Sequence, residues 1–231
     1  MELTKITPLL WLDYVERRLQ VGIKPATLNR ELYDLQSFLQ FLADTGRAVE
    51  ARMLAVEPLD AGEPLPRDVP VSQLRKPLAE VESAAENQAN RQGVLDRAWL
   101  LLMLHSGLRT AEVRHLRLSN LDLVRRQIRL EPGKGRQARI VFLSREGVAA
   151  LRTYLTVRGP AATDYVFINR HRPLGTGYCG KRLHNYGQPG VPAITPHQLR
   201  YSCATLLLNA GVPILTVQRV LGHRYVQTTL R

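Results

Sequence analysis

A chain of 231 residues with 45% hydrophobic content is long enough for one large or two small domains around a real core, which excludes a disordered protein. No run approaches the roughly 18 uninterrupted apolar residues of a membrane span, and the first ten residues lack the basic start and apolar core of a signal peptide. The net charge of +12 is unevenly placed: residues 1–90 carry ten Lys and Arg against fourteen Asp and Glu, and residues 91–231 carry the other 22 against six.

A basic C-terminal part and an acidic N-terminal part imply a surface that meets a polyanion, because each neutralised phosphate releases condensed counterions. Nucleic acid is the expected partner, against the plainer reading of a solvated basic face. The expected compartment is the cytosol.

Thr7-Pro8 caps and starts a first helix carrying Leu9, Leu12, Val15 and Leu19. A second begins near Pro25, with Leu28, Leu32, Leu35, Leu39 and Leu42 stepping by three and four until Gly46. The stretch "EPLDAGEPLPRDVP", Glu57 to Pro70, holds too many prolines for a helix or a central strand and reads as a linker. Pro77 to Ala89 reads as a polar helix, and Val94 to Leu104 is apolar nearly all round, as a helix buried in a larger core must be. From Leu121 the period shifts to two. Ile128 and Leu130 alternate with polar residues, "PGKGRQ" turns the chain with Lys134 at its tip, and Ile140 and Phe142 alternate on the return. A helix follows over Ser144 to Arg158, then a short strand over Tyr165 to Ile168, then helices with Gly and Pro breaks. Cys179 and Cys203 fit neither a disulfide framework nor zinc spacing, and read as reduced and structural.

Three short stretches could carry chemistry. In "TPHQLRYSCATLLLNAG" Thr195 is an N-cap, Pro196 takes the first helical position and Gln198 completes a capping box, so His197 and Arg200 stand three apart near a helix start. Exposed N–H groups at such a start attract phosphate and a neighbouring Arg can bind it bidentately; a surface ion pair explains the same residues equally well. In "HSGLRTAEVRHL" Gly107 breaks the buried helix and Arg109 opens the next, with Glu112 placed to orient it. That pair suits an anion site or simply tacks two helices together. Lys134, between two glycines, is either a proton donor and phosphate contact or a solvated turn lysine.

In this order, Arg-x-x-Glu after a buried helix, a hairpin-tip Lys, His-x-x-Arg at a helix start and then Leu-Gly-His resemble the tyrosine recombinase (phage integrase) family. "SGLRTAEV", "HQLRYSCATLLLNAG" and "LGHRYVQTT" match its boxes nearly residue for residue, and the likeness runs from Leu78 to Arg231. The resemblance implies a mainly α fold with a small antiparallel β-sheet: a short helical core-binding-like domain over 1–50, a linker over 51–72 and a catalytic domain over 73–231. It also implies site-specific recombination of double-stranded DNA through a 3′-phosphotyrosine, with no metal and no cofactor, by a homo-oligomer, a tetramer on DNA. Arg109 and Arg200 would clamp the scissile phosphate and Lys134 would protonate the departing 5′-oxygen. His197 and His223 would assist proton transfer and hold the phosphate. The physics agrees, since preorganised guanidinium and imidazole donors stabilise a pentacoordinate phosphorus without a metal.

The family's nucleophilic Tyr lies nine positions beyond the His of its Leu-Gly-His box, which is position 232, one past Arg231. The chain is therefore expected to bind DNA without cleaving it and to be monomeric without DNA; the alternative is a non-catalytic DNA-binding regulator or accessory factor derived from a recombinase. Tyr225 is too near His223 to substitute, and Tyr201, next to Arg200, stands where the family often has a second His and is read as supporting. Tyr178 and Tyr186 flank a helix expected to face DNA and read as core or phosphate contacts. The N-terminal part has room for two helices where many relatives use four, and its net negative charge fits a strong DNA clamp poorly.

Overall fold

A computed structural model describes residues 6–62, 69–131, 138–187 and 193–222. The chain divides into two compact units, Met1–Leu65 and Pro66–Arg231.

In the first unit, α1 (Pro8–Gln20) starts at Thr7, whose hydroxyl accepts the Leu10 N–H, and α2 spans Pro25–Asp44. The inward stripe of α1 is Trp11 and Val15, one turn apart, while Leu9, Leu12 and Leu19 are exposed. The sequence expectation for α1 thus held at Val15 and failed at the three leucines: the Trp, with the largest apolar surface to bury, takes the inner face beside Val15. On α2 the stripe of Leu28, Leu32, Leu39 and Leu42 is buried as its spacing predicts. A 3-10 turn at Ala51–Ala55 buries Met53 against that stripe. The segment after α2 is pinned by side chains: Gln36 donates to the carbonyls of Met53 and Val56, both at 3.0 Å, and Asn29 exchanges two hydrogen bonds with the Leu59 backbone.

The second unit is built around α4 (Arg91–Ser106), buried on every side as its sequence predicts, with Trp99, Leu100 and Leu102 at its centre. Against it packs α3 (Val71–Glu86), which begins six residues before the expected start and carries Pro77 inside it. Pro77 removes one helical hydrogen bond. Leu74, Leu78, Val81 and Ala85 nevertheless form one apolar face packed into the core, and that burial outweighs the lost bond. The two helices meet closely at Gly93, where a Cβ would lie 2.2 Å from the Ala84 carbonyl oxygen.

After α4 come α5 (Thr110–His115) and a three-stranded antiparallel sheet of β1 (Leu121–Asp122), β2 (Gln127–Leu130) and β3 (Arg139–Phe142), in that order. Ile128 pairs with Val141 and Leu130 with Arg139, so Val141 is buried while Ile140 and Phe142 are exposed. The sequence reading had taken Ile140 and Phe142 as the apolar alternation of this strand. A shift of one residue sends every side chain of a strand to the other face, and here it turns Arg139 inward. The expected turn at Lys134 lies outside the described residues.

Helix α6 (Arg145–Arg158) is capped by Ser144, whose hydroxyl accepts the Gly147 N–H at 2.9 Å. Tyr165 makes an isolated bridge to Arg117, and Val166 and Phe167 are buried without a ladder. The regular strand is β4 (Ile168–Asn169), paired with β5 (Arg172–Pro173), so the expected Tyr165–Ile168 strand is only its last residue. Then follow α7 (Tyr178–Asn185), α8 (Pro196–Asn209) and α9 (Ile214–Leu221).

One polar group lies at the heart of this core. Asp96, fully buried on α4, accepts from Gln92, Trp99 and Tyr178 on one oxygen and from Arg182 and Tyr186 on the other, at 2.6–3.1 Å. Tyr178 and Tyr186 are therefore core contacts that fasten α7 to α4. Burial and the Asp96 charge raise both phenols, Tyr186 to about 12. Cys179 and Cys203 are buried free thiols, each pushed up to about 12 chiefly by burial. Among the described residues no helix is long and apolar enough to cross a membrane.

Candidate active site

The site forms where three chain breaks meet. Gly107, in the left-handed region at φ 63°, ends α4 and lets Arg109 serve as the N-cap of α5. A Cβ at Gly107 would lie 2.4 Å from a Leu221 methyl, so the position demands glycine for space as well as for φ. Thr195 and Gln198 close the capping box that fixes the start of α8, which sets the rotation of Arg200 about one turn on. Gly222, at φ 62°, ends α9.

At the centre is the Glu112 carboxylate. One oxygen accepts the Arg109 backbone N–H at 2.7 Å and the other the Arg109 Nη1 at 3.1 Å. Arg139, from β3, grips the same carboxylate bidentately, Nη1 at 2.8 Å and Nη2 at 2.9 Å. Arg200 stands with Nη1 4.0 Å from it. Arg200 is 4% exposed and donates to the carbonyls of Gly107 and Leu221.

Three guanidinium groups around one carboxylate leave an excess of positive charge in a largely desolvated place. Burial, with the Arg109 and Arg139 charges adding to it against the opposing pull of Glu112, lowers the Arg200 pKa to about 9. Burial alone would raise Glu112. The Arg139 hydrogen bond, the Arg109 N–H and both arginine charges outweigh that and hold its carboxyl below the usual range. The cluster thus has cations in surplus, which an incoming anion would relieve.

Of the residues singled out from sequence, Arg109, Glu112 and Arg200 come together. His197 sits exposed in the first turn of α8, its ring edge-on to that of Tyr201 at 5.8 Å between centroids. Lys134 and His223 lie outside the described residues. Arg139 was not anticipated; the signal that could have found it is the strand parity, which places it opposite Leu130 on the buried face.

The chain is similar to several known proteins. The profile of the phage integrase family matches residues 75–231. The tyrosine recombinase XerC of Chlorobaculum parvum is 31% identical over 234 residues, covering 91% of this chain and 69% of the relative. The tyrosine recombinase XerD of Staphylococcus aureus is 30% identical over 238 residues, covering 94% and 78%. Among solved structures, the Tn1549 transposon integrase in complex with a circular intermediate DNA superposes with a TM-score of 0.79 at 17% identity, over 99% of this chain and 81% of that one. The XerA recombinase does so with a TM-score of 0.62 at 24% identity, over 99% and 79%.

The fold is mainly helical with a small antiparallel sheet and carries a carboxylate-anchored arginine cluster. The chain belongs to the tyrosine recombinase (phage integrase) family.

Proposed function

We propose that the protein is a site-specific recombinase that cuts and rejoins double-stranded DNA through a 3′-phosphotyrosine, using no metal and no cofactor. A core-binding-like helical unit would precede a catalytic domain over 73–231, and the protein would work as a homotetramer on DNA. The observation that carries this is the meeting of Arg109 and Arg200 at one buried, cation-rich point around Glu112. Such donors, fixed before the substrate arrives, stabilise the charge that grows on the non-bridging oxygens of a pentacoordinate phosphorus. His197 and His223 would hold the phosphate and pass protons, Lys134 would protonate the departing 5′-oxygen, and Tyr201 would support His197. The basic excess of residues 91–231 supplies the sequence-independent part of DNA affinity.

By the family's spacing the nucleophile falls at position 232, so the polypeptide of residues 1–231 is expected to bind DNA and leave it uncut. The test selects bound sites from random duplexes, builds a nicked duplex around the selected site, and looks for a DNA adduct that survives denaturation. An adduct from the chain carrying a Tyr joined after Arg231, and none from residues 1–231, is the expected result. An adduct on Tyr225 from residues 1–231 would overturn the assignment of the nucleophile. Tight specific binding with no adduct from either chain would point instead to a regulator that binds DNA without cutting it.

A further inference from the structure

We infer that Arg139 is a positioning residue of this site, one that fixes the last turn of α9 and, through Glu112, the Arg109 guanidinium; its part in catalysis rests on the reading just given. Three successive carbonyls at the end of α9 are each taken by a different arginine. Val220 accepts from Arg139 Nε at 3.1 Å, Leu221 from Arg200, and Gly222 from Arg109 Nη2 at 3.0 Å. These are groups that a helix end leaves without internal partners, and they carry the negative end of its dipole.

Every donor nitrogen of Arg139 binds the protein itself. Its Nε is given to α9 and both its terminal nitrogens to Glu112, with the side chain 11% exposed. Arg139 also joins three pieces that lie far apart in sequence. It sits at the start of β3, five residues after Lys134; it clamps the carboxylate that orients Arg109; and it grips the turn immediately before His223. Gly222 packs flat against it, since a Cβ there would lie 3.0 Å from its Cδ, Nε and Nη1. A planar fork with donors in two directions can do this, and a single ammonium cannot.

The experiment uses the full chain, with and without a Tyr joined after Arg231, as wild type, Arg139→Gln and Arg139→Lys. Amide hydrogen exchange is followed through α9 and α4, duplex binding by titration, and adduct formation on the nicked duplex at saturating DNA. Both variants are expected to exchange about tenfold faster at residues 220–222 while α4 keeps its protection. The adduct rate is expected to fall about 100-fold in both with DNA half-saturation within about twofold, because a misplacement of about 1 Å costs that much without touching binding. Arg139→Lys keeps the charge, so it separates lost geometry from lost charge if Arg139→Gln fails to fold. Unchanged exchange at 220–222, or a loss of binding as large as the loss of rate, would overturn the assignment. Should the wild-type chain with its Tyr form no adduct, the recombinase reading itself has failed, and the exchange comparison alone decides whether Arg139 fixes α9.

Discussion

Replacing Glu112 by Gln removes the one negative charge between three guanidinium groups and leaves the shape nearly unchanged. The carboxylate accepts four hydrogen bonds from two arginines at 2.7–3.1 Å, with its side chain 11% exposed. Glutamine keeps one acceptor oxygen and turns an NH2 toward donors that cannot accept it. Breaking a buried ion pair in this way costs about 3–5 kcal/mol, a large part of the roughly 5–15 kcal/mol that holds a domain folded. With a urea slope of about 2 kcal/mol per molar, the midpoint should fall by about 1.5 M or more. The dependence on pH adds a second check. The folded-state pKa of Glu112 lies below its ordinary value of 4.5, so its contribution is complete above that value and is lost as pH falls through the folded one. The difference in stability between wild type and Glu112→Gln should therefore be full near neutrality and shrink in acid. Urea titrations at neutral pH and below pH 4.5 measure both. A variant within about 1 kcal/mol of wild type, or a gap that does not narrow in acid, would refute the view that Glu112 anchors the cluster.

Gly222→Ala forces a Cβ against the Arg139 guanidinium at a positive φ, and should cost about 1–3 kcal/mol by urea unfolding with a larger loss of adduct formation than of DNA binding. Arg200→Ala in the chain with a Tyr joined after Arg231 should abolish the adduct while bulk duplex binding, carried by the other basic residues, stays within a few-fold; gel retardation across a salt series checks it. Tyr186→Phe removes one of the donors to buried Asp96 and should lower stability by about 1–2 kcal/mol, read from the thermal midpoint, with DNA affinity little changed.

What could be seen in the sequence was whatever local rules control. The Thr195 cap, the Gly107 stop and the all-round apolar character of α4 each dictate a boundary or a burial within a few residues, and they placed Arg109 and Arg200 near helix starts. What could not be seen depends on partners distant in the chain. The parity of β3 is decided by which of Ile140 and Val141 meets the core, and two apolar residues side by side gave alternation no way to choose. That one-residue ambiguity concealed Arg139. The inner face of α1 was misjudged for a similar reason, because Leu9, Leu12 and Leu19 step with Val15 as well as Trp11 does. Pro77 misled in the opposite sense: its local cost was read as a boundary, while the apolar face of α3 made it tolerable.

The anchorage of α7 on Asp96 separates what holds that helix from what it shows to solvent. Tyr178, Arg182 and Tyr186 recur every four residues and all reach one carboxylate, so an eight-residue helix too short to persist by itself is nailed along one edge. Lys181, His184 and Asn185, exposed beside that edge, carry none of this attachment. Mounting and display are thus divided between different residues of one small helix. Substitutions among the displayed side chains can alter what the helix meets and leave its seat untouched, so this surface is free to drift faster than the core it stands on.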